Sequence, residues 1–185
     1  MLSPALRKGV LAVHLTTSVG WLGAVGAYLP LDLTVAVSED PVTVRAAWLA
    51  MGLIATWILV PLAIASFVTG LIISAGTRWG LFRHWWVVVS LVLTAVALVV
   101  LVQEMPVIGR SVAIAAAAAS PDVELLALQP TLPHSIGGLA VLIVIQWLNV
   151  FKPEGLTPYG WRRLQEERAR LGSRRARAGA PPQPE

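Results

Sequence analysis

Three histidines, His14, His84 and His134, are the strongest ligand-type side chains in this chain. There is no cysteine and there are only three methionines, so disulfides, thiolate catalysis and Cys-ligated metal or iron–sulfur centres are excluded. A neutral imidazole can hold haem iron or copper. Position limits which histidines could act together. His14 follows Lys8 closely, about 9 Å along a helix that rises 1.5 Å per residue. His84 opens a later apolar run at the same end, whereas His134 opens another from the opposite end. His14 and His134 are then most of a membrane thickness apart and cannot share one iron. Only the His14/His84 pair can.

Four apolar runs, about 9–35, 46–74, 84–103 and 132–151, must position these side chains. Each reaches the roughly 20 residues that cross a hydrocarbon core. Of all residues, 56% are hydrophobic and 13% charged, against about a quarter charged in a soluble domain. The basic residues are placed unevenly. Arg7 and Lys8 precede the first run, Arg78 and Arg83 lie between the second and third, and Lys152 with seven arginines from Arg162 to Arg177 follows the fourth. The other two connections hold Arg45 and Arg110 against Asp32, Glu39, Asp40, Glu104, Asp122 and Glu124. The positive-inside rule then predicts four spans with both termini cytoplasmic. The first run is too long for a signal-peptide core of about 7–15 residues and reads as a retained span.

Pro30 and Pro61 should kink spans 1 and 2 or end a helical stretch early. Trp79, Trp85 and Trp86, beside Arg78 and Arg83, read as interface anchors. In the long outer connection, 107–119 is too short for a fifth span. It predicts a short helix lying on the outer surface, followed by a second one capped by Ser120 with Pro121 in its first turn.

Helical phase sorts the span residues. His14, Thr17, Ser18, Trp21 and Tyr28 fall on one face of span 1, and Leu11, Leu15, Leu22 and Leu29 on another. The polar-aromatic face should look into the bundle. In span 3, Trp86, Ser90 and Thr94 share a face, with His84 about 120° away at 100° per residue. Span 4 carries Gln146 and Asn149 near the depth of His14, so either amide could hydrogen-bond that imidazole without any cofactor. No span interior contains a charged residue, which weakens ion-coupled transport. Asp32, near the outer end of span 1, is expected at the interface.

The region 1–153 thus forms one membrane domain, and 154–185 a basic cytoplasmic tail, helical to about Leu171 and disordered at its end. The sequence pI is near 10.3, but the basic residues flank spans or fill the tail. Topology and anionic lipid account for them better than nucleic acid.

The stretch from Val10 through His14 and Trp21 to Gly23 resembles the opening helix of several small bacterial membrane families, among them copper-resistance D-like membrane domains and HemJ-type protoporphyrinogen oxidases. The stretch from Arg78 through His84, Trp85 and Trp86 to Ser90 and Thr94 resembles their third-helix motif. Over about residues 8 to 151 the chain is most similar to four-helix integral membrane proteins with no assigned activity. The resemblance implies a haem or metal ligand at His14. Many members of these families carry a lysine where this chain has Ser90, a departure that tells against an oxidase activity.

The expectation is an all-α, four-helix transmembrane bundle. Its leading role is that of a non-enzymatic integral membrane protein, with a b-type haem at His14 serving electron transfer. His84 is the weaker ligand candidate, and Thr17, Ser18, Trp21, Ser90, Thr94, Gln146 and Asn149 are the polar candidates for the bundle interior. A haem-pathway oxidoreductase, a copper or small-solute permease, and an accessory subunit of a membrane complex or homo-oligomer remain as alternatives.

Overall fold

The computed structural model describes residues 3–77 and 79–178. Arg78 and the tail end expected to be disordered, 180–185, lie outside them. The described residues form seven α-helices: α1 (Pro4–Val37), α2 (Pro41–Ile54), α3 (Val60–Gly76), α4 (Trp85–Ala116), α5 (Asp122–Leu126), α6 (Leu132–Phe151) and α7 (Pro158–Ala178). One π turn, Ala55–Leu59, fuses α2 to α3. Four segments, Pro4–Val37, Pro41–Gly76, Trp85–Ala116 and Leu132–Phe151, are long and apolar enough to cross a membrane. Their outward faces carry apolar groups such as Leu53, Trp57, Val96 and Trp147. Lipid suits those faces, and a helix satisfies its own backbone there.

The chain reverses between successive spans, which gives the bundle two ends. One carries Arg7, Lys8, Arg83 and Lys152 and is called the basic end. The other carries Asp32, Glu39, Asp40, Glu104, Asp122 and Glu124 and is called the acidic end. Between them Trp48, Met51 and Val44 of α2 are fully buried. At Gly52 the backbones of α2 and α4 come so close that an added Cβ would stand 2.5 Å from a Val112 methyl.

Neither proline ends its span. Pro30 neither ends nor splits α1, which continues to Val37, where Thr34 Oγ1 donates to the Pro30 carbonyl at 2.9 Å. Pro61 follows the π turn, where the Val60 N–H already reaches back to the Ala55 carbonyl. The widened ladder lets the ring enter without ending the span.

The connection between the third and fourth spans also departs from the sequence reading. Residues 107–116 are not a separate surface helix but continue α4 through Pro106, for 32 residues in all. Burial explains this, because Ile108, Ser111 and Ala115 pack into the bundle and Arg45 of α2 donates to the Ala115 and Ala117 carbonyls. Ser120 does not cap α5, whose cap position is Pro121. Its hydroxyl instead donates to the Ile114 carbonyl at 2.7 Å, closing the end of α4.

At the basic end, the chain after α6 packs on the α3–α4 turn. The Thr157 N–H donates to the Arg83 carbonyl at 3.1 Å, and the Thr157 hydroxyl donates to the Phe82 carbonyl while accepting from the Gly160 N–H at 3.0 Å. Arg83 forms a two-pronged pair with Glu167, both contacts at 3.1 Å. These contacts tie α7 to the bundle.

Candidate functional site

A cavity of about 760 Å³ lies between α1, α3, α4 and α6 at the basic end. Most of the polar side chains singled out from sequence converge there: His14, Ser18 and Trp21 from α1, Ser90 and Thr94 from α4, and Gln146 and Asn149 from α6. Trp79, Trp86 and Phe67 add aromatic wall, and Arg7, Lys8 and Lys152 also line it. Among the described residues no carboxylate does. The volume falls within the roughly 300–1,000 Å³ typical of ligand pockets.

His14 is held in one tautomer by its neighbours on α3. Its Nδ1 stands 3.1 Å from the Ser66 carbonyl and 3.1 Å from Thr69 Oγ1. A carbonyl can only accept. The Thr69 hydroxyl gives its proton to the Ala65 carbonyl at 2.6 Å, so towards His14 it accepts too. The proton therefore sits on Nδ1, and Nε2 keeps its lone pair. Gly70 makes room for the ring, since a Cβ there would stand 3.2 Å from His14 Cε1. The expected partners, Gln146 and Asn149, do not bond His14. Distance along the helices matched, but α3 rather than α6 faces the imidazole.

Two hydroxyls in the same wall, Ser90 Oγ and Thr77 Oγ1, are buried without a hydrogen-bond partner among the described residues. A buried polar atom left unpaired costs about 1–3 kcal/mol, and such exceptions mark places where a partner belongs. Thr94 has no such vacancy, because its hydroxyl donates to the Ser90 carbonyl at 2.7 Å.

Two sequence candidates fall outside the cavity. Thr17 is buried, but its hydroxyl is spent on the Val13 and His14 carbonyls and it does not line the space. His84 precedes the first residue of α4 and bonds the Trp79 carbonyl through Nδ1 at 2.9 Å, packing edge-on against the Trp79 ring. It does not line the cavity with His14. Among the described residues no cluster of three or more His, Cys, Asp or Glu is placed to hold a metal. Ser66, Thr69, Gly70 and Thr77 were not anticipated. The only sequence signal for them is a run of small polar residues within an apolar span.

A second cavity of about 290 Å³ lies towards the acidic end. Beside it Asp32, expected at the interface, is fully buried. It accepts from the Thr131 N–H at 2.7 Å, the Thr131 hydroxyl at 3.1 Å and the Ser135 hydroxyl at 2.6 Å, which pins the start of α6 to the end of α1. His134, whose expected place was a helix end, lies at that start and pairs through Nε2 with Glu104 at 3.3 Å. Trp21 and Leu142 line both cavities.

Comparison of the chain with protein-family models, with curated proteins and with solved structures returned no match.

Proposed function

We propose that the chain is a small, non-enzymatic integral membrane protein whose basic-end cavity holds a flat, amphipathic anion. The reading that uses most of the site is a b-type haem ligated by His14. The observation that carries it is the fixed His14 tautomer: an imidazole whose Nδ1–H is tied to a carbonyl and whose Nε2 lone pair is left over, in a cavity that among the described residues has three cations and no carboxylate. Metal-ligating histidines are held in this way. Arg7, Lys8 and Lys152 would take the carboxylates of the ligand, and Trp21, Trp79 and Trp86 its faces. Bound haem would supply a one-electron couple, which suits electron transfer. The likeness of 10–23 to the opening helix of haem- and copper-associated membrane families points the same way.

In this reading the basic end faces the cytoplasm of a bacterial cell, both termini are inside, and the arginines of α7 lie near anionic lipid headgroups. A solute permease is the second reading. It is favoured by Ser18, Ser90, Thr94, Gln146 and Asn149 lining one space, and opposed by Trp21 and Leu142, buried where the two cavities meet.

The test is the absorption spectrum of the detergent-purified protein, oxidised and then dithionite-reduced, beside a His14→Ala variant. The expected result is a Soret band with sharpened reduced bands in the parent. The variant should lose them while its helical circular dichroism is unchanged. A parent that stays colourless, even when haem is added, ends the haem reading.

A further inference from the structure

The acidic-end cavity differs from the first in charge and in hydrogen-bonding sense. At its polar end every hydroxyl proton is already committed. The Ser135 hydroxyl donates to Asp32 at 2.6 Å and the Thr131 hydroxyl to Asp32 at 3.1 Å. Tyr28, 3.2 Å from Thr131 Oγ1, must then be the donor in that pair. The lone pairs of Tyr28 and Ser135 are what remain for an occupant of the cavity. Glu104 lines the same end with its side chain only 18% exposed, and its one partner among the described residues is His134 Nε2.

The charge balance is negative. Two carboxylates, Glu104 in the lining and Asp32 behind it, face a single imidazole. Arg45 of α2 spends its guanidinium on the Ala115 and Ala117 carbonyls, Arg110 of α4 is exposed, and neither lines the cavity. Below this acceptor-rich head the walls are aliphatic: Leu93, Ala97, Val100 and Leu101 from α4, Val141 and Leu142 from α6. Val96 and Gly137, also in the lining, are exposed on the outer face of the bundle, so the space opens where lipid would lie.

We propose that this cavity binds a lipophilic amine in its ammonium form, entering from the lipid, with its head between Glu104, Tyr28 and Ser135 and its chain along α4 and α6. An ammonium offers three donors and no acceptor, which matches a head with acceptors only. Its positive charge compensates a carboxylate that is costly to bury with so little pairing. His134 is the built-in competitor for Glu104. An alcohol of the same length lacks the charge, and an alkyl carboxylate repels Glu104.

The probe is octylamine, titrated into the protein in nanodiscs of zwitterionic lipid, with the thermal unfolding midpoint as readout and octanol and octanoate as comparisons. A ligand that binds only the folded state raises the midpoint in a saturable way. Octylamine is expected to do so, and the other two are not. Glu104→Gln should weaken the apparent affinity at least about tenfold, the lower bound for losing a charge-assisted hydrogen bond. His134→Ala frees Glu104 and should tighten it, a gain that no loss of folding can mimic. Equal effects of octanol and octylamine, or unchanged affinity in both variants, would overturn the proposal. Neither Glu104 nor His134 lines the His14 cavity, so the haem reading can fail while this one stands, and the reverse.

Discussion

Replacing Asp32 should show how much of the bundle rests on one buried carboxylate. Asp32 has no exposed surface and receives three hydrogen bonds from the start of α6. In Asp32→Ala not all three donors are stranded. The Ser135 hydroxyl can fall back on the Leu132 carbonyl, already 3.3 Å away, and the Thr131–Tyr28 pair, 3.2 Å apart, keeps one hydrogen bond whichever hydroxyl donates, with the other proton turned into the cavity. The Thr131 N–H has no such alternative, and Thr131 is only 6% exposed, so water cannot replace the carboxylate. An orphaned buried donor costs about 1–3 kcal/mol. The weakened hydroxyl contacts add about 0.6 kcal/mol each, the average for polar contacts between membrane helices. The sum is about 3 kcal/mol. Asp32→Asn keeps an acceptor for the N–H and should cost about 1 kcal/mol.

Equilibrium unfolding in mixed micelles would rank the variants, and hydrogen exchange at the Thr131 amide gives a local readout. That amide should be protected in the parent and in Asp32→Asn and exchange rapidly in Asp32→Ala. Two results would refute the reasoning. One is an alanine variant within about 0.5 kcal/mol of the parent, the ordinary range for surface changes. The other is an asparagine variant as unstable as the alanine one, which would make charge rather than hydrogen bonding the source of the effect.

Three further outcomes follow from single contacts. Gly52→Ala sets a Cβ 2.5 Å from a Val112 methyl. Overpacking of about 1–3 kcal/mol at a stiff β-branched side chain should outweigh the gain of about 0.5–1 kcal/mol from removing a helical glycine, whereas in a Val112→Ala background the same change should stabilise. Gly160→Ala drives a Cβ into the Arg83 carbonyl oxygen, backbone that cannot turn aside, so α7 should detach and trypsin should cut at its exposed arginines, Arg162 and Arg163, sooner than in the parent. The Arg83 guanidinium holds the Glu167 carboxyl below its ordinary value of 4.5. Its contribution to α7 docking is therefore full above that value and is lost as pH falls through the lowered one; trypsin cannot follow so acid a range, but pepsin cleavage of the tail should rise there, and Glu167→Gln should loosen the tail at neutral pH.

The apolar runs made the four spans legible, and the polar face of α1 together with Ser90, Thr94, Gln146 and Asn149 pointed to the interior of the first cavity. The partners of His14 were not legible, for a reason that can be located. The π turn at Ala55–Leu59 adds a residue to the helical register, so phase counted at 100° per residue through span 2 misplaces everything after it, Ser66 and Thr69 included. The burial of Asp32 was not legible either, because depth along a helix says nothing about what covers its side. It is buried by Thr131 and Ser135, about a hundred positions later in the chain. The length of α4 was hidden by Pro106 and Arg110, which look like the end of a span. Pairing with α2 overrides them, through Arg45 and the close approach of Gly52 to Val112.

The two cavities gain meaning from their opposition. Among the described residues one is lined by three cations and no carboxylate, the other is headed by the Glu104 carboxylate and hydroxyl lone pairs, and both touch Trp21 and Leu142. A single continuous space would bring opposite charges into one low-dielectric channel and let each neutralise the other. Trp21, only 3% exposed, is a rigid ring wide enough to prevent this, set on the helix that also supplies His14 to one side and Tyr28 and Asp32 to the other. Helices α1, α4 and α6 line both sites. A ligand in either cavity would meet the same indole, so contact through Trp21 is a physical route by which occupancy of one site could be felt at the other.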